Sequence, residues 1–108
     1  MNGDIDRIIK FTAKHFVFDE KTYPELVNNS NKQRLIFAIR HSVLHLAKTS
    51  GKVASISEAV DHGKEVDMAQ LRADISKALI AVLRLAEVIG MSENDIVRTI
   101  EEKYNDKI

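Results

Sequence analysis

Apolar residues recur every three or four positions through most of this chain. From residue 31 onward, Leu35, Ile36, Ile39, Val43, Leu46, Val53, Ile56 and Val60 keep that spacing with no intervening proline. That is the period of one helix face, not the alternation of a strand. A second run, Leu71, Ile75, Ala78, Leu79, Val82, Leu85, Ala86 and Ile89, forms a wider apolar band. It ends at Gly90, the residue type that closes helices in left-handed backbone. Near the N-terminus Ile5, Ile8, Ile9, Thr12 and Phe16 trace a shorter face after a cap at Gly3 or Asp4. Ser92, followed three positions later by Asp95, caps a last short helix. The pattern predicts four helices, near residues 4–16, 31–61, 67–89 and 93–104, and so an all-α fold.

The segments between them read as connections. Residues 17–30 contain Pro24, Asn28, Asn29 and Ser30 and form a loop whose aromatics, Phe18 and Tyr23, pack back on the helices. Ser30 or Asn31 then caps the second helix. Asp61 to Asp67 is a short connector. An unbroken helix over 31–61 would be about 46 Å long, against a radius of gyration of about 13 Å for a compact chain of this length. Two outcomes accommodate it. Either the helix bends at Gly51, beside Ser50, or it stays straight and a second subunit covers its far end. Ala78 to Leu83 (ALIAVL) is apolar almost all round, more than one face of a monomer needs, so the expectation is a single domain, 1–108, completed as a homodimer or tetramer.

Composition narrows the class. With 108 residues and no cysteine, disulfides, thiolate metal sites and a cysteine nucleophile are excluded, and a reducing, cytoplasmic setting is expected. Sixteen Lys and Arg balance sixteen Asp and Glu, so no overall field is built for nucleic acid or anionic membrane. Hydrophobic residues make up 44%, which excludes a disordered chain. There is no long apolar run, and Asp4 and Asp6 stand at the N-terminus, so neither a signal peptide nor a membrane span is expected.

The conspicuous chemistry is a cationic stripe. His41, His45, Lys48 and Lys52 are spaced by four, three and four residues, which places all four on one side of a helix. On the next helix Asp74 and Lys77 share a face, with Arg84 further along. One reading is an ion-paired or solvated face in which Asp74 neutralises the lysines. Another is an anion pocket. His41 and His45 also have the spacing of two metal ligands, without a third ligand of matching spacing. His15 and His62 lie at element ends and read as surface residues. Neither a nucleophile-and-base signature nor a phosphate-cradling glycine loop is present.

Across these two helices the run Leu46 to Ser55 (LAKTSGKVAS), followed by Asp74 in LRADISKALIAVLRLAEVIG, resembles the MazG-like, all-α nucleoside triphosphate pyrophosphohydrolases. The resemblance extends from the first helix to EEKYND at 101–106 and is best in Gly51 and the apolar stretch after Asp74. In that family EExxE on one helix and ExxD on the next hold Mg²⁺, a hard cation that takes oxygen ligands and activates water against the triphosphate. Here the EExxE carboxylates fall on Lys48, Thr49 and Lys52, and the ExxD pair on Asp74 and Lys77. What the resemblance implies is therefore a MazG-like scaffold that has lost metal-dependent hydrolysis. His41, His45, Lys48, Thr49, Lys52, Asp74 and Lys77 remain as candidates for binding a nucleotide or phosphate, with Asp74 the one weak metal-ligand candidate. The competing expectations are a closed pocket in a pure interaction module, and an active, house-cleaning pyrophosphohydrolase. The latter would use Mg²⁺ on displaced ligands drawn from Glu58, Asp61, Glu65, Asp67 and Asp74.

Overall fold

The computed structural model describes residues 3–108, which form α1 (Asp4–His15), a 3₁₀ turn (Pro24–Leu26), α2 (Asn31–Asp61), α3 (Met68–Val88) and α4 (Glu93–Tyr104). Among the described residues there is no strand. Phe16, Asp67 and Ile89, which the periodicity places inside helices, are caps instead.

Each boundary has a local cause. At the start of α2, Ser30 Oγ accepts from Gln33 N at 3.2 Å while Ser30 N donates to Gln33 Oε1 at 2.8 Å, a reciprocal cap of the kind worth about 1 kcal/mol. Ser92 and Asp95 do the same for α4, and the Asp67 carboxylate accepts from Gln70 N at 3.1 Å to start α3. Two helices end on glycine. Gly63 (φ 83°) and Gly90 (φ 78°) take left-handed backbone, and the next amide turns back onto the helix, Lys64 N to Ala59 O at 3.1 Å and Met91 N to Ala86 O at 2.9 Å.

The long helix is not interrupted: α2 passes through Gly51 without leaving helical geometry. A glycine costs at most about 1 kcal/mol within a helix, less than the cooperative gain of continuing a helix packed along α3.

α3 is the central element, packed against α2 on one side and α1 on another. The apolar interior is small: Ile9, Leu26, Ala38, Ala81, Leu83 and Ala86 are buried. Buried hydroxyls satisfy themselves within their own helices, Thr12 on Ile9 O at 2.7 Å, Ser42 on Ala38 O at 2.8 Å and Thr49 on His45 O at 2.9 Å. The 17–30 loop folds back as its aromatics require. Phe18 stacks on Tyr23 with centroids 5.4 Å apart, and Tyr23 meets Phe37 of α2 at 5.3 Å. α4 is tied to α1 by Glu93 N donating to Asp6 Oδ1 at 3.0 Å.

Much apolar surface stays uncovered. Ile75, Val82 and Ile89, spaced by seven along α3, are exposed, as are Leu35, Ile36, Val43 and Leu44 on α2. The radius of gyration is 16.7 Å, against about 13 Å for a compact chain of this length. No helix of the described residues is long and apolar enough to cross a membrane.

Candidate anion-binding site

Where α2 and α3 run side by side they leave a cavity of about 270 Å³. α2 contributes His45, Lys48, Thr49 and Lys52; α3 contributes Lys77, Ile80, Ala81 and Arg84; Phe16, just after α1, completes the lining. The helical period explains the grouping, since residues 45, 48, 49 and 52 on one helix and 77, 80, 81 and 84 on the other each form one face. Five of the seven residues singled out by sequence therefore meet at one place. Among the described residues no carboxylate lines it.

The other two lie elsewhere. His41 is one turn before His45, outside the cavity, with ring centroids 4.7 Å apart. Asp74 is 1% exposed, with Gln70 Nε2 donating to its Oδ1 at 3.1 Å. The expected ion pair of Asp74 with Lys48 or Lys52 is not formed. The ion pairs among the described residues, Arg7–Asp4, Arg34–Glu20, His62–Glu58 and Arg98–Asp95, all lie away from the cavity. Lys48, Lys52 and Lys77 are exposed at its mouth.

Arg84, which the sequence places on the face of Lys77 but does not mark as a candidate ligand, is the further charged group at this site. It is 5% exposed, and both its hydrogen bonds come from one nitrogen: Nη2 donates to Phe16 O at 3.2 Å and to Tyr23 Oη at 3.3 Å. The guanidinium carbon lies 4.2 Å from the centroid of Phe18 and 5.1 Å from that of Phe16, within cation–π range. Its Nε–H is buried without an acceptor. A buried guanidinium normally faces a carboxylate; this one faces aromatic rings and a cavity edged with lysines. The clue in the sequence was a lone charge inside an apolar band, seven residues after Lys77 and hence on its face.

The two histidines feel this charge. Burial of part of the ring holds His45 below the ordinary imidazole range although much of the side chain is exposed, and Arg84 and Lys48 push the same way. His41 is lowered by burial first, then by His45 and Arg84, with Glu25 opposing. His41 Nε2 lies within hydrogen-bond distance, 3.2 Å, of Tyr23 Oη, the same oxygen that accepts from Arg84 Nη2.

The residues present do not fit Mg²⁺. Three ammonium groups stand where the resemblance calls for carboxylates, the Thr49 hydroxyl bonds its own helix, and Asp74 is buried beside Gln70. The displaced set does not gather either. Asp67 caps α3 and Glu58 pairs with His62, and among the described residues no three His, Asp or Glu side chains are placed to share a metal ion.

A larger groove, about 800 Å³, runs between α1 and α3 past Ile8, Phe11 and Leu79. It is mainly apolar and lacks the convergence of charge found between α2 and α3. Compared with models of protein families, with curated proteins and with solved structures, the chain gives no match, so the MazG-like resemblance stands on the quoted residues alone.

Proposed function

We propose that this chain is a MazG-like helical module that binds a phosphate-bearing anion without hydrolysing it, and that it works as a dimer. The observation that carries the ligand reading is the cavity between α2 and α3, where Lys48, Lys52, Lys77 and the carboxylate-free Arg84 converge. Like charges held together destabilise the empty site, and a phosphate oxygen relieves them through charge-assisted hydrogen bonds. Its volume lies just below the usual range of about 300–1,000 Å³ for small-molecule pockets, a fit to one or two phosphate groups with any remainder of the ligand outside.

The dimer rests on area. A folded chain of 12.2 kDa exposes about 6,100 Å² by the scaling of monomeric proteins, and this one exposes 8172 Å². The excess, about 2,000 Å², is of the size that each subunit of an obligate dimer buries. The uncovered rows on α2 and α3 supply the apolar part.

Calorimetric titration of inorganic phosphate, pyrophosphate and ATP at low and physiological salt tests the ligand reading. Binding should weaken with salt, because exposed charges are screened over about 8 Å at physiological ionic strength, and Lys52→Glu should weaken it further. Inorganic phosphate binding as well as ATP identifies a free oxyanion site, and ATP alone a nucleotide site. No binding at low salt removes the anion reading in favour of a pure interaction module. Pyrophosphate release with Mg²⁺ or Mn²⁺ points instead to the hydrolase reading. Sedimentation at tens of micromolar tests the dimer, which a monomer contradicts.

A further inference from the structure

The charges around the cavity are all of one sign. Lys48 and Lys52 reach it from α2, Lys77 and Arg84 from α3, and His45 is the one lining side chain whose charge changes near neutral pH. Behind it the chain of contacts continues without an anion: His41 lies against His45, Tyr23 Oη against His41, and Arg84 against Tyr23. Glu25 is the acidic group that acts on this pair, and it acts on His41.

In the empty cavity these cations oppose a further positive charge on His45. A bound dianion offsets part of that positive potential. By reciprocity, whatever factor the anion adds to the proton affinity of His45, the proton adds to the affinity for the anion. His41 is the poorer proton acceptor for this purpose. It lies outside the cavity, its Nε2 is engaged by Tyr23, and a second imidazolium with its ring centroid 4.7 Å from the first would be repelled.

Resting on the reading that this cavity is an anion site, we propose that it takes up a divalent tetrahedral oxyanion together with one proton, carried by His45, so that capture strengthens as pH falls. The proton comes from solvent, His45 becomes an imidazolium, and it adds a donor to those of the three lysines. Anion release at higher pH returns the proton.

Sulfate is the probe, because its own charge does not change near neutral pH and any proton taken up belongs to the protein. Sodium sulfate is titrated calorimetrically into the full chain at about pH 5.5, 6.5 and 7.5, at fixed low ionic strength, in two buffers of different ionisation enthalpy. A single linked proton changes affinity by at most about tenfold per pH unit; the expected tightening from about pH 7.5 to 5.5 is roughly three- to thirtyfold, with a buffer-dependent heat. His45→Gln should still bind sulfate with that dependence flattened, and His41→Gln should keep it. In the wild type the His45 ring proton resonances should titrate at higher pH with sulfate than without, a readout that survives if the variant does not fold. Binding with no pH dependence, or a dependence kept in His45→Gln and lost in His41→Gln, overturns the proton linkage while leaving the anion site standing. No sulfate or phosphate binding even at about pH 5.5 removes both.

Discussion

Arg84→Met separates a residue kept for ligand binding from one kept for stability. The substitution keeps an unbranched apolar stem but removes the charge together with the guanidinium carbon and its two terminal nitrogens. Lost are two hydrogen bonds from a charged donor, to Phe16 O and Tyr23 Oη, at about 2 kcal/mol each, and cation–π contact with Phe18 and Phe16, about 1–2 kcal/mol when desolvated. Relieved are the burial of a guanidinium without a carboxylate, which costs several kcal/mol, and the orphaned Nε–H, itself about 1–3 kcal/mol. The methionine sulfur regains about 1 kcal/mol against the two rings. The opposing contributions nearly cancel, so stability without ligand should change by no more than about 2 kcal/mol in either direction. Binding of phosphate or pyrophosphate should fall at least about tenfold, because the site loses its fixed, fully buried cation. Urea unfolding and calorimetric titration on the same preparations read both quantities. A loss of more than about 4 kcal/mol, as when one partner of a satisfied buried pair is removed, would refute the cancellation and make Arg84 a structural keystone.

Gly51→Ala should stabilise the fold by about 0.5–1 kcal/mol, since α2 is continuous there and an added Cβ meets nothing within 4 Å; an unchanged or lower unfolding midpoint would mean that the helix bends at this glycine. His41 and His45 are both held below the ordinary imidazole range, so the unfolded chain takes up these protons at higher pH than the fold does. Without added anion, stability is therefore intact above about pH 7 and is lost as pH falls through about 6.5 toward the lower folded values. A urea midpoint that rises over that range, or that falls equally in a His41→Gln, His45→Gln double variant, contradicts this origin. Val82→Glu, in the exposed row with Ile75 and Ile89, should shift the proposed dimer to monomer in sedimentation with helical content retained. A dimer of unchanged affinity places the interface elsewhere.

Local chemistry made most of the fold legible in the sequence. Helix boundaries follow from caps and glycines that act over four or five residues: Ser30 with Gln33, Ser92 with Asp95, and Gly90 as a left-handed stop. The cationic stripe was equally legible, because helical period alone puts His45, Lys48 and Lys52 on one side. Whether Gly51 interrupts α2 was not, since a cost of at most about 1 kcal/mol is decided by packing against α3. Nor was the fate of Asp74. Sequence places it on a face with Lys77, but tertiary packing buries its carboxylate, which Gln70 of the same helix meets, and the lysines are left unneutralised. Arg84 shows the same division most sharply. Its charge and its spacing from Lys77 were readable, yet its surroundings come from Phe16, Phe18 and Tyr23, more than sixty residues earlier in the chain. Only tertiary packing brings them together, because the period of a helix fixes which way a side chain points and says nothing about what it meets.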